Sequence, residues 1–85
     1  MTILYADEFR KLFKKLPFDV QSIYYGQESI FKNNWRDSKL HLKKLVNHQF
    51  SFSFRVTRNY RVLFSFIHKD TVLFATIGHR KNIYK

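Results

Sequence analysis

The apolar side chains of this chain change their spacing near residue 50, and that change limits the possible fold more than any other feature. Before it they recur three and four residues apart. Phe9, Leu12, Phe13 and Leu16 form the stripe of an amphipathic helix, and Val20, Ile23, Tyr24, Ile30 and Phe31 form the inner face of a second. After it they recur every second residue: Phe50, Phe52, Phe54 and Val56 alternate with Ser51, Ser53, Arg55 and Thr57, as in a half-buried strand. Residues 60–68 and 71–78 are two further runs rich in β-branched and aromatic residues, apolar on both faces as interior strands are. Thr2-Ile3-Leu4-Tyr5 suits a short opening strand. Asp7 is placed to cap the first helix and Asp19 the second, Pro17 ends the first, and Gly26 predicts a bend or break in the second. Residues 35–47, where Leu40, Leu42 and Leu45 alternate with Lys39, His41, Lys43 and Lys44, fit either an extended or a helical segment. The expectation is one α+β domain over residues 1–85. It has a strand, a helical hairpin with a very short connection, and a three-strand antiparallel meander, with the helices on one sheet face.

Keeping the aromatic face continuous fixes how the strands pair. For Phe54 to share a side with Tyr60, Val62, Phe64 and Phe66, the loop between the first two strands must hold an odd number of residues. A three-residue loop, Thr57-Arg58-Asn59, satisfies this, with Asn59 suited to a left-handed conformation. Phe54 then faces Val62, and Arg55 faces Arg61 on the side away from the aromatic core. Like charges directly opposite in a ladder are destabilising, unless the face is well solvated or an anion sits between them. A two-residue loop at Lys69-Asp70 pairs Phe66 with Leu73 and Arg61 with Gly78, and it puts Arg80 on the same side as Arg55 and Arg61. Gly78 opposite an arginine leaves room for a ligand to approach. Guanidinium suits phosphate, because its planar fork donates two parallel hydrogen bonds and does not lose its charge.

Charge distribution agrees with that geometry. Residues 1–37 carry six Lys/Arg and five Asp/Glu, a balance of +1, whereas residues 38–85 carry ten Lys/Arg and Asp70 alone, a balance of +9. Such one-sided charge calls for an anionic partner. A membrane surface would require a basic amphipathic helix, and the basic half does not read as helical. With 19% aromatic residues the chain can fill a core despite its 85 residues, and Trp35 and the phenylalanines belong to that core. There is no cysteine, so neither disulfides nor a thiolate metal site can form. His41, His48, His68 and His79 lack metal-ligand spacing, and His68 ends a strand. No glycine-rich phosphate loop or Ser-His-Asp pattern stands out. No apolar run approaches the length of a membrane span or a signal peptide, so the expectation is a cytoplasmic protein with no cofactor, no metal and no membrane partner. Without further context, a basic row on a sheet face is usually a solvated face, and Tyr84 a packing residue.

Three segments together resemble the RelE/ParE toxin superfamily of type II toxin–antitoxin systems, most closely the RelE-type mRNA interferases. They are Leu40-His41-Leu42-Lys43-Lys44-Leu45 after the helical hairpin, Phe54-Arg55-Val56-Thr57-Arg58-Asn59-Tyr60-Arg61-Val62-Leu63-Phe64, and the closing Ile77-Gly78-His79-Arg80-Lys81-Asn82-Ile83-Tyr84. The resemblance covers nearly the whole chain and implies a RelE-like fold and metal-free, ribosome-dependent cleavage of mRNA. In that chemistry the 2′-hydroxyl attacks the adjacent phosphate, which requires a base, cations for the developing charge and an acid for the leaving oxygen. Carried over by position, Arg61 and Arg80 would clamp the phosphate, Tyr84 would sit beside the nucleophile, and Arg55 would stand where the family has a lysine. His79 would be an acid or base, although strict alternation points it away from the face of Arg80. Lys39, His41, Lys43, Lys44, Arg58, Lys81 and Lys85 are the candidate RNA-contacting residues. The chain departs from the pattern in having Ser53 and Arg55 where RelE members often carry two lysines, and in lacking a glycine in the hairpin loop. Arginine keeps its proton, so the base must be another group or the rate must rest on electrostatics. The partners implied are mRNA on the ribosome and an acidic cognate antitoxin, the toxin being monomeric when free and part of a hetero-oligomer when bound. The alternatives are a ParE-like inhibitor of DNA gyrase with the same fold, and an inactive RNA-binding module.

Overall fold

A computed structural model describes residues 1–84. The elements are β1 (Thr2–Tyr5), α1 (Asp7–Lys14), α2 (Phe18–Asn33), a 3-10 turn (Ser38–Leu40), β2 (Lys43–Lys44), β3 (Phe52–Arg55), β4 (Tyr60–His68) and β5 (Thr71–His79). The five strands form one sheet in the order β1-β5-β4-β3-β2. β1 runs parallel to β5, and every other pair is antiparallel. The α+β expectation therefore holds, with one edge strand added at each side of the meander.

Both helices begin earlier than expected, α1 by one residue and α2 by two. Ala6 precedes α1 with an extended backbone and no side-chain cap, so Asp7 is the first helical residue rather than the cap. There it still complements the positive end of the helix dipole, together with Glu8. Pro17 is the residue before α2, and Asp19 lies inside its first turn. The fixed φ of proline suits that entry. Gln21 closes the hairpin by donating from Nε2 to the carbonyls of Phe13 and Leu16, both at 3.1 Å, which ties the first turns of α2 to the end of α1. α2 continues through Gly26 without a break. Its inner face is Val20, Tyr24 and Phe31, while Ile23 is 48% exposed, contrary to the helical stripe.

The core lies between this hairpin and one sheet face. Phe31 is fully buried and meets Phe54, Phe64 and Phe74, from three neighbouring strands, at ring separations of 5.3, 5.1 and 5.1 Å. Trp35 extends the cluster over Phe52 and Phe66.

The β3–β4 register is as expected, with Phe54 opposite Val62 and Arg55 opposite Arg61. Asn59, however, is not left-handed, since His41 and Asn47 are the described non-glycine residues with positive φ. The loop is closed instead by Thr57, whose Oγ1 accepts from the Asn59 N–H at 3.2 Å. Strand β3 also begins at Phe52 rather than Phe50, whose N–H donates to His48 Nδ1. Across β4 and β5, Arg61 pairs with Gly78 as expected, but Phe66 pairs with Val72, not Leu73. Ala75 on β5 and Ile67 on β4 are each unpaired in the ladder, and the two irregularities cancel over its length.

Candidate active site

Adjacent strands build two cross-sheet rows on the face away from the helices. One is Arg55–Arg61–Gly78 and the other Lys43–Ser53–Leu63–Thr76. Beyond β5 the chain turns back, with the N–H groups of Asn82 and Ile83 both donating to the His79 carbonyl. This turn lays Ile83 over Gly78, so a side chain added at residue 78 would meet Ile83 at 3.9 Å. That is an ordinary contact, and Gly78 lines a hollow next to the arginines rather than the one they share. The same turn brings Tyr84 onto Ser53, their hydroxyls sharing a hydrogen bond of 3.2 Å.

The result is a hollow of about 430 Å³ lined by Arg55, Arg61, Arg80, Tyr84, His41, Lys43, Lys81 and Ser53. Each cation has a structural reason to be there. The Arg80 N–H donates to the Asn59 carbonyl at 2.7 Å, tying the end of β5 to the β3–β4 loop. Arg61 Nη1 donates to the carbonyls of Thr57, Arg58 and Tyr60 at 2.8, 2.8 and 3.1 Å, so the loop itself orients the guanidinium. Gln27 of α2 donates to the Arg55 carbonyl at 2.8 Å and the Lys39 carbonyl at 3.3 Å, which draws the 3-10 turn and His41 to the end of β3. Lys43, opposite Ser53 on β2, places its ammonium 5.6 Å from the centre of the Tyr84 ring.

No carboxylate is among the described residues that line the hollow. Burial lowers the Arg61 pKa, and the charges of Arg55 and Arg80 lower it further against the opposing influence of Tyr84. Arg55 Nε is buried with no hydrogen-bond partner among the described residues. The fold thus holds repelling cations together with donor capacity left over, which is the arrangement a phosphate completes.

Not every expected residue joins the hollow. His79 packs edge-on against Tyr60 at 5.4 Å, and its Nδ1 accepts from the Lys81 N–H at 3.1 Å, so its side chain lies outside. Lys39, Lys44 and Arg58 also lie outside, although Arg58 contributes its carbonyl to Arg61. Lys44 shares a neighbouring hollow with Lys43 and Tyr84. Lys85 falls outside the described residues. Ser53 is the residue that the sequence reading passed over. Strand alternation puts it on the face of Arg55, but its 1% exposure and its pairing with Lys43 come from β2 and the terminal turn, which the pattern does not record. No group of three or more His, Asp or Glu able to hold a metal occurs among the described residues, and no helix among them is long and apolar enough to cross a membrane.

Sequence comparison gives neither a matching family model nor a curated relative. Structural comparison gives clear neighbours that the chain matches over nearly their full length. The RelB–RelE antitoxin–toxin complex from Methanococcus jannaschii is 27% identical with a TM-score of 0.76, over 96% of this chain and 95% of that one. The archaeal RelE–RelB complex from Pyrococcus horikoshii OT3 is 18% identical with a TM-score of 0.75, over 95% and 96%. YafQ from E. coli strain BL21(DE3) is 15% identical with a TM-score of 0.73, over 98% and 97%.

Proposed function

We propose that this chain, whose fold is that of the RelE/ParE-like toxins, is the toxin of a type II toxin–antitoxin pair and cuts mRNA on the ribosome. The observation that carries this reading is the gathering of Arg55, Arg61 and Arg80 around Tyr84 in a hollow with no carboxylate among its described lining residues. A mere solvated face would let those side chains splay apart, whereas here backbone carbonyls hold Arg61 in place.

The reaction proposed is transesterification. The 2′-oxygen loses its proton and bonds to the adjacent phosphorus, and the bond from phosphorus to the 5′-oxygen breaks. The products are a 2′,3′-cyclic phosphate and a free 5′-hydroxyl. Arg61 and Arg80 hold the non-bridging oxygens and stabilise the charge that grows on them, with the Nε of Arg55 as a further donor. Arginine keeps its proton, so proton transfer falls to the titratable groups lining the hollow: Tyr84, Lys43, Lys81 and His41. Ser53 fixes the Tyr84 hydroxyl, acting as a positioning residue. An acidic antitoxin covers the same cationic face and silences it by charge complementarity.

Incubation with programmed ribosomes and mapping of the mRNA ends tests the proposal. New ends bearing 5′-hydroxyls are expected. Intact mRNA together with inhibited gyrase supercoiling would replace this reading with the ParE-like one, and salt-dependent RNA binding with no cut would replace it with a plain binding module.

A further inference from the structure

Tyr84 is a wall shared by three hollows, the lysine-lined one beside β2 and two of different chemistry. On one side lies the cationic hollow; on the other, over Leu63, Thr76 and Gly78 of the same sheet face, lies a larger one of about 760 Å³. That volume is in the range of small-ligand sites, about 300–1,000 Å³. No arginine or lysine is among the described residues that line it, and these offer instead the amides of Asn47, Gln49 and Asn82 and the half-buried rings of His48 and Phe50.

We infer that this second hollow is a nucleobase subsite, receiving the base next to the phosphate held beside Tyr84 and thereby setting which sequences are cut. The inference rests on the RNA-cleaving reading above and goes beyond it to the selection of substrate. Three features carry it. First, the hollows adjoin across one aromatic ring, and in a nucleotide the base follows its phosphate at about the span of a sugar. Second, each amide offers a donor and an acceptor, the combination that reads base edges, and none of the three amide side chains has a hydrogen-bond partner among the described residues. Leu63 and Ile83 add apolar surface, and with Phe50 they suit the face of a base. Third, Glu8 of α1 also lines the hollow, where its carboxylate disfavours a second phosphate and can accept from the amino or imino group of a base.

Fluorescence anisotropy with a five-nucleotide RNA, and with the same strand carrying an abasic residue at each position in turn, tests the subsite without requiring cleavage. The comparison is between the natural chain and a triple variant, Asn47→Gly, Gln49→Ala, Asn82→Ala. Glycine is chosen at residue 47 because the backbone there has a φ of 53°. Removing the base at one position is expected to weaken binding to the natural chain at least about fivefold, and the triple variant is expected to bring that ratio below about twofold. Equal binding of all abasic strands, no measurable binding, or a ratio unmoved in a folded triple variant would overturn the inference, and the hollow would then belong to a protein partner. Base discrimination without any cut on programmed ribosomes would sink the RNase reading alone, leaving the subsite standing.

Discussion

Between β1 and α2, Glu28 accepts hydrogen bonds from the hydroxyls of Tyr5 and Tyr24, each at 2.6 Å, and its other oxygen lies 3.4 Å from the Lys32 ammonium. Across the sheet, Arg55, Arg61 and Arg80 crowd one hollow with no carboxylate among the described residues that line it. Burial alone would raise the Glu28 pKa, but the two tyrosines and Lys32 outweigh it and hold the carboxylate below its usual range. Burial and like-charged neighbours lower the Arg61 pKa. The charge in the first region is completed by the fold and supports stability. The charge in the second is left incomplete and awaits a ligand. The difference separates residues that hold the domain together from residues that act.

The largest test of this division is on the helix side. Phe31→Ala is expected to destabilise the domain by about 3–5 kcal/mol, because it empties the contact point of three strands. Urea unfolding measures it, and a loss below about 1 kcal/mol would place the core elsewhere. Glu28→Gln is next, at about 1–3 kcal/mol. Its pH signature follows from the sign of the shift. Because the folded pKa is depressed, the contribution is fully present above the unfolded value of about 4.3 and is lost as pH falls through the folded one. Melting temperature from pH 7 to pH 3 should therefore fall less in Glu28→Gln than in the natural chain. Tyr5 and Tyr24 add an alkaline limit. Burial and then Glu28 raise both pKa values, so their contribution is present below about pH 10 and declines above it.

How far these regions could be read in the sequence depended on how local their causes are. The opposition of Arg55 and Arg61 was legible, because period-two alternation and an odd loop leave one register. The parallel pairing of β1 with β5 was not, since nothing in four residues states which distant strand they join. The irregularities at Ala75 and Ile67 were also hidden, because they compensate and leave Arg61 opposite Gly78 with either count. Ile23 lies on the stripe yet is exposed, while Val20 and Tyr24 beside it are buried, so the buried face of α2 is narrower than the stripe. Tyr84 could be singled out by resemblance, but its contact with Ser53 depends on a terminal turn that no periodicity records.

On the cationic side the expected effects are smaller and fall on binding. Three arginines closing on one phosphate neutralise one charge and give a log–log slope of about −0.7 for affinity against salt, hence about a two- to threefold loss between 50 and 200 mM. A salt-independent affinity would mean that the guanidiniums do not meet phosphate. Smallest is Arg55→Gln, which relieves the repulsion opposite Arg61 and is expected to stabilise the free protein by about 0.2–1 kcal/mol while weakening RNA binding. A destabilised variant would show that Arg55 serves the fold, and the contrast with Glu28 would collapse.

The most direct measurement is mRNA cleavage on programmed ribosomes by the double variant Arg61→Ala, Arg80→Ala, with its melting temperature taken on the same sample. Cutting is expected to fall by at least about two to three orders of magnitude, while the protein stays folded, its melting temperature lowered by no more than the lost hydrogen bonds of Arg61 to the loop carbonyls account for. A double variant that cuts as fast as the natural chain, still folded, would contradict the claim that these strands meet to strain and break a sugar–phosphate link.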